Sequence, residues 1–451
     1  MKIIIIGGGK VGTKISEKLS LEEHDVTVIE KNTDVINKIK VHQDIACING
    51  NGINYEVLEE AGASNADLLI GCTSSDEINM FSCLLAKKIG AKKTVARVRN
   101  PELHNQLNYI KDDLGLDMVI NPELVAAREM SRILRFPSAI KVEPFAKGKV
   151  ELVEFKIYKE SPLAGMAMNQ IAKKFRINVL ICAVQRGEKV FIPNGKTVIE
   201  EKDKLSIVAS HEELEYFLKE IGGFRKVIRT VMIVGGGKIS YYLCKTLEKN
   251  NINIKIIEKD LNTCKNLSQS LPKVEVIYGD GTDQQLLEEE GLEEAEAFVS
   301  LTGIDEENIL LSMYANTKNI SKVITKVSQS TFQNMVYNFD LDTVISPKDI
   351  TATIIVRYVR SMNNSYASKL NSMYKIVDEK IEVLEFTVNG ACQIVGKKLK
   401  DLSIKKDLLI GCIVRKGKII IPNGNSTIEN GDDVIIVTSY LDILDIDDII
   451  E

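Results

Sequence analysis

Met1-Lys2-Ile3-Ile4-Ile5-Ile6-Gly7-Gly8-Gly9-Lys10-Val11-Gly12 is the stretch whose reading decides the fold. Four isoleucines lead into Gly7-x-Gly9-x-x-Gly12, and an amphipathic run from Lys10 to Leu21 follows. That order predicts a strand, a phosphate-cradling turn and a helix. Each glycine has a physical task. Gly7 makes the tight turn, Gly9 lets backbone N–H groups approach a phosphate, and Gly12 lets the helix pack on the strand. A second strand, Asp25 to Ile29, closes on Glu30 and Lys31, the acid standing 23 residues after Gly7. The helix N-terminus offers partial positive charge to a pyrophosphate. Glu30 would accept hydrogen bonds from a ribose diol and repel a 2′-phosphate, favouring NAD or an adenine nucleotide over NADP.

Short apolar strands alternate with helices as far as residue 122. Strands are expected at Asp44–Ile48, Asp67–Cys72 and Thr94–Val98, with a helix near Tyr55–Glu60. Another helix follows Ser75 or Asp76, either of which can cap it, and its apolar face carries Met80, Leu84 and Leu85. This alternation is the signature of a parallel, doubly wound, Rossmann-like sheet. A helix over roughly Glu123–Leu134 leads out of the unit, and Phe136-Pro137 breaks it. The stretch 140–224 reads as a small mixed α/β unit. It has alternating Val150–Phe155, a helix near Met168–Phe175, and strands around Val179–Val184, Lys189–Ile192 and Lys204–Val208. A turn falls at Pro193-Asn194-Gly195.

Then the pattern restarts. Val231-Met232-Ile233-Val234-Gly235-Gly236-Gly237-Lys238-Ile239-Ser240 repeats the opening, with Gly7 returning as Gly235 and Glu30 as Glu258, both 228 residues on. Gly50, Asp76 and Asn79 return as Gly279, Asp305 and Asn308, 229 residues on. The accessory unit comes too: Glu154-Phe155 as Glu385-Phe386, and Ile192–Gly195 as Ile421–Gly424. The expected organisation is therefore a first Rossmann-like unit (1–122), a crossover linker (123–139) and a small unit (140–224). The same three follow again as 228–348, 349–370 and 371–451.

Two further loops lie where doubly wound sheets bind ligands. Gly50-Asn51-Gly52 is matched by Gly279-Asp280-Gly281-Thr282, and Asn51 or Asp280 could hydrogen-bond an adenine or its ribose; a plain turn explains them equally. Thr73-Ser74 is matched by Thr302-Gly303 and can donate hydroxyl or N–H groups to a ligand, or simply serve the helix cap. Arg97, with Arg99 two residues on, can neutralise a phosphate at the sheet edge. The second half has Lys326 and Ser328 there, and Ser240 in place of the third glycine, while Glu258 and Lys259 remain. The halves should therefore differ, the first holding polyphosphate more tightly.

Composition narrows the function. A length of 451 with 44% apolar and 27% charged residues suits several globular cores. A net charge of −5 argues against a general nucleic-acid binder. Eight scattered cysteines without a C-x-x-C suit buried free thiols in a reducing compartment. Four distant histidines give no metal-ligand spacing, so no metal is expected. No leader sequence and no bilayer-spanning run are evident. No G-x-S-x-G, H-E-x-x-H or G-x-x-x-x-G-K-[ST] occurs, and His211 in the first small unit has no counterpart in the second. No catalytic residue is therefore expected. Nucleotide is read as a signal.

Assembled, these motifs resemble the Trk-type potassium uptake regulators (TrkA), built from tandem RCK/KTN nucleotide-binding domains. The resemblance rests on Gly7 to Gly12, Asn49-Gly50-Asn51, Cys72 to Asn79, Ala96-Arg97-Val98-Arg99 and the bidomain repeat, and spans essentially the whole chain. It implies that Gly7 to Val11, Glu30, Thr73, Ser74 and Arg97 bind nucleotide in the first half, and Gly235 to Ile239, Glu258 and Asp280 in the second. NAD(H) and ATP or ADP would be the regulatory ligands. It further implies a cytoplasmic homo-oligomeric ring, paired through the helix near Glu123–Leu134. Such a ring docks beneath an integral-membrane, TrkH-like potassium channel or transporter. The alternatives are a nucleotide-sensing regulator of another transporter, such as a sodium–proton antiporter or chloride channel, and an NAD-dependent oxidoreductase with a duplicated Rossmann unit.

Overall fold

The computed structural model describes residues 1–42, 45–175, 179–221, 228–248, 250–329, 332, 336, 339, 341, 343–362, 368–376, 380–389, 392–440 and 443–451. Ile3 to Ile6 lie at the centre of a parallel sheet, each no more than 2% exposed. With layers covering both faces, a strand has no solvent side, which is why this one is apolar throughout rather than alternating. The sheet contains β1 (Lys2–Ile6), β2 (Asp25–Glu30), β3 (Ala46–Asn49), β4 (Leu68–Gly71), β5 (Lys93–Arg97) and β6 (Met118–Ile120), in the order β3-β2-β1-β4-β5-β6. Ile3 pairs with Val26 on one side and Leu68 on the other.

The first small unit is an antiparallel sheet of β7 (Lys141–Phe145), β8 (Val150–Lys156), β9 (Leu180–Arg186), β10 (Lys189–Phe191) and β11 (Lys204–Ala209), ordered β10-β9-β11-β8-β7. The second half repeats both. Its parallel sheet is β12 (Thr230–Val234), β13 (Asn253–Glu258), β14 (Glu275–Tyr278), β15 (Ala297–Ser300), β16 (Lys322–Lys326) and β17 (Val344–Ile345), ordered β14-β13-β12-β15-β16-β17. Its antiparallel sheet is β18 (Ser368–Ile376), β19 (Ile381–Val388), β20 (Leu408–Arg415), β21 (Lys418–Ile420) and β22 (Asp433–Thr438), ordered β18-β19-β22-β20-β21.

The halves are not beads on a string. The first crossover helix, Pro122–Arg135, buries Ala126, Ala127, Met130 and Ile133 in the core of the second parallel sheet, beside Leu243 and Leu247. The second, Pro347–Met362, returns the exchange: Ala352, Ile355, Val356 and Val359 join the core that contains Ile15 and Leu19 of the first. Arg360 fixes this swap. Its guanidinium takes Glu22, after the first helix, at 2.6 and 2.9 Å and Glu382 of β19 at 2.8 and 3.1 Å, tying three units at one buried point. The two antiparallel sheets share a further core of Phe145, Cys182 and Val208 with Val383, Cys412 and Ile435.

The expected fold stands, with differences of detail. Helices at Thr33–His42, Pro101–Ile110 and His211–Glu220, and the strand β6, were not anticipated. β6 is an edge strand of only three residues, too short to show a period. Asp44, the first residue of the expected third strand, lies outside the described residues. β18 begins at Ser368, inside the stretch expected as a linker, because its residues pair with β19 as far back as Val388. All eight cysteines are free, seven of them buried.

Candidate functional site

Strand order reverses between β1 and β4, so the loops leaving their C-terminal ends diverge and open a crevice. Gly7 turns the chain there with φ of +100°, and a Cβ on it would sit 2.9 Å from the Thr73 nitrogen and 3.0 Å from the Cys72 oxygen. A Cβ on Gly12 would meet the Gly7 oxygen at 2.0 Å. Gly9 is different: φ is −67° and nothing lies within 4 Å of where its Cβ would be. The fold needs glycine at 7 and 12. At 9 it does not.

Gly8 N–H donates to Glu30 Oε2 at 2.6 Å, while Glu30 Oε1 accepts from the Lys31 and Asn32 N–H groups at 2.8 and 2.9 Å. The carboxylate is thereby held across the mouth of the turn. The second half repeats this, Gly236 N–H donating to Glu258 Oε2 at 2.6 Å and Asp260 N–H to Oε1 at 2.7 Å. Ser240 fills the position of the third glycine, fully buried, its hydroxyl donating to the Gly235 carbonyl. The added Cβ is thus accommodated by a hydrogen bond to the very oxygen it crowds.

The loops after β4 and β15 use the Thr73 and Thr302 donors locally. Thr73 N–H and hydroxyl both donate to Asn79 Oδ1, at 2.7 and 2.8 Å, and Thr302 N–H donates to Asn308 Oδ1 at 2.8 Å. Those groups serve the protein rather than the crevice. Asn79 and Asn308 are completely buried, and each passes its amide on to the backbone carbonyl of Arg97 or Lys326, 2.9 and 3.1 Å away. Buried carboxylates complete the frame: Asp76 accepts from the Arg99 and Asn100 N–H groups at 2.9 and 2.8 Å, Asp305 from Ser328 and Gln329 at 2.8 and 2.7 Å. Asn79, Asp76 and Asn308 thereby fix the backbone of Arg97, Arg99 and Lys326, and Asp305 fixes the turn that follows Lys326. Sequence reasoning reads Asp76 as a possible helix cap and otherwise takes Asp76, Asn79 and their repeats as marks of duplication and resemblance, not as the frame of the site.

Two cavities result, of about 560 and 520 Å³. The first is lined by Gly7, Gly9, Lys10, Val11, Glu30, Lys31, Asn51, Thr73, Ser74, Arg97 and Arg99, which the structure brings together. Gly8 and Gly12 shape it from behind. The second takes Gly235, Gly236, Gly237, Lys238, Ile239, Glu258, Asp280 and Thr302 with Lys326. Asp280 Oδ1, however, accepts from the N–H and hydroxyl of Thr282 at 2.9 and 2.8 Å, which holds its carboxyl below the usual range.

The larger correction concerns ownership. Each site was expected within its own half, yet both cavities lie between the halves. The first also receives Ile239, Lys326, Ser328 and Lys348 from the second half, and the second receives Arg99 and Glu123 from the first. Arg97 stands 3.5 Å from Glu123, Arg99 Nη2 donates to the Ser74 carbonyl at 2.5 Å, and Lys326 donates to the Thr302 carbonyl. Tyr242 locks the boundary, accepting from Asn121 Nδ2 at 2.8 Å and donating to the Arg99 carbonyl at 3.1 Å. Burial pushes its phenol up to about 12. Six cationic side chains face two carboxylates in the first cavity, whereas four face four in the second. Glu123 and Lys348 were missed, although each follows a proline at the same place in the repeat.

Doubled Rossmann-like units, each with an antiparallel accessory sheet, exchanging crossover helices around two inter-unit cavities, define a tandem RCK-type assembly. Solved structures share the fold: the GsuK RCK domain superposes with a TM-score of 0.64 at 18% identity, over 96% of this chain and 91% of that one. The GsuK channel bound to NAD gives 0.64 at 18% identity, over 97% and 76%. Residues 3–122 and 231–347 match the TrkA-N domain, and 152–222 and 383–450 the TrkA-C domain. A Trk system potassium uptake protein TrkA homolog from Archaeoglobus fulgidus is 34% identical over 449 residues, covering 100% of both chains. The Trk system potassium uptake protein TrkA of Haemophilus influenzae is 30% identical over 443 residues, 97% of this chain and 96% of that one. The chain belongs to the TrkA family of Trk potassium uptake systems.

Proposed function

We propose that this protein is the nucleotide-sensing regulatory subunit of a Trk-type potassium uptake system, reading adenine nucleotides without converting them. One observation carries the reading: both cavities are bounded by both halves. A ligand there touches two bodies at once, so its binding energy depends on how they sit, and it favours the arrangement it binds better. ATP, ADP and NAD(H) are the ligands argued for by the glycine turn, the ribose-facing Glu30 and the ring of cations. The solved GsuK relatives carry NAD or ADP. Among the described residues no helix is long and apolar enough to cross a membrane. On this reading the potassium path belongs to an integral-membrane partner, on whose cytoplasmic face a ring of these chains would dock. The first crossover helix, expected to pair subunits, packs the two halves of one chain together.

Because neither cavity is complete in one half, the test uses the whole chain. Calorimetric titration with ATP, ADP and NADH should show binding, with the first cavity favouring the triphosphate. Vesicles holding the channel partner should change potassium flux when nucleotide is added with this protein. Flux indifferent to nucleotide, despite binding, would reject the regulatory role.

A further inference from the structure

The two crossover helices open with a charge inversion. Asn121-Pro122-Glu123 begins the first and Ser346-Pro347-Lys348 the second, at matching places in the repeat. Glu123 borders both cavities, whereas Lys348 borders only the first. An acid in the first turn of a helix is favoured by the helix dipole and a lysine is disfavoured, so Lys348 breaks a local rule that Glu123 obeys. Such breaks concentrate at functional sites.

The six cations of the first cavity sort into two groups. Arg97 faces Glu123, Arg99 donates to Ser74, and Lys326 donates to Thr302. Lys10, Lys31 and Lys348 have no side-chain hydrogen bond or ion pair among the described residues. Lys10 and Lys31 are exposed and can be hydrated; Lys348 is half-buried. Burial lowers its pKa, with Lys14 opposing the charge and Asp349, Glu17 and Asp305 favouring it from a distance. An ammonium held partly out of water and at the wrong end of a helix is costly unless an anion joins it.

We infer that Lys348 is the specificity-determining residue of the first cavity: it takes the terminal phosphate of a nucleoside polyphosphate bound in the glycine turn of the other half. This rests on the reading of that cavity as an adenine-nucleotide site. Phosphate count is thereby sensed by a group on the opposite body, so ATP and AMP would hold the halves differently even with identical contacts at the turn.

The test is titration of the full chain and of Lys348→Gln and Lys348→Arg with ATP, ADP, AMP and NAD, alongside thermal unfolding without ligand. Lys348→Gln should weaken ATP by roughly ten- to hundredfold, the scale of one charge-assisted hydrogen bond, while AMP and NAD change by less than about threefold. Lys348→Arg should restore most of the ATP affinity. Ligand-free Lys348→Gln should melt no lower than the parent, since an unfavourable charge has been removed; a merely structural lysine would melt lower. Equal losses for ATP and AMP, or no loss for either, overturn the assignment while leaving the nucleotide site intact. A parent chain that binds none of the four overturns the site itself, and the assignment with it.

Discussion

Single residues separate what the turn needs for folding from what it needs for a ligand. Gly7→Ala forces a Cβ into the backbone of Cys72 and Thr73 at positive φ, and should cost about 1–3 kcal/mol, seen as a lowered melting temperature. Gly9→Ala meets open space at an ordinary φ, so stability should stay within about 0.5 kcal/mol. Its nucleotide affinity should nevertheless fall by about tenfold or more, because backbone and phosphate must come close. A Gly9→Ala protein that binds ATP as the parent does would remove the phosphate from that turn. Glycine tasks at 7 and 12 were legible from spacing, because the motif is local. The tasks of Asn79 and Asp76 were not, since their partners stand 18 and 23 residues away.

At the scale of elements, the crossover helices bear the load. Glu129 on the first is 5% exposed, and burial with Glu143 nearby pushes its carboxyl up to about 7, against the pull of Lys141 and Arg132. The folded state therefore keeps a proton that the unfolded chain releases near 4.5, and stability falls as pH rises between those values. Glu129→Gln should flatten that slope, gaining about 1–3 kcal/mol relative to the parent at pH 8 and little at pH 4, as denaturant midpoints at the two pH values would show. On the second helix, Arg360→Ala would strand Glu382, which is fully buried, and Glu22. The expected loss is about 3–5 kcal/mol, or failure to fold. An unchanged midpoint would mean that the three units do not depend on that guanidinium. Sequence reading found the first helix by its period, but not the core it enters. An amphipathic stripe says that a face is buried without saying against what.

The whole molecule is a pair that one chain makes with itself. Fragments 1–225 and 228–451 would each expose a crossover stripe, Ala126, Met130 and Ile133 in one and Ile355, Val356 and Val359 in the other. Expressed alone, each should self-associate or aggregate; co-expressed, they should form a one-to-one complex by analytical ultracentrifugation. Two well-behaved monomers would refute the swap. The duplication was plain in the sequence because it is a matter of register, whereas the exchange of helices between repeats leaves no local mark. Fusion also releases a constraint. In a true homodimer every substitution appears twice, so an acid and a lysine could never occupy the two equivalent places at once. Here Glu123 and Lys348 do, and Lys348 adds one more positive charge to a cavity already richer in cations than its balanced twin. In stoichiometric terms, an assembly of such chains would saturate with one nucleoside triphosphate per chain, leaving the second seat free for a less charged signal.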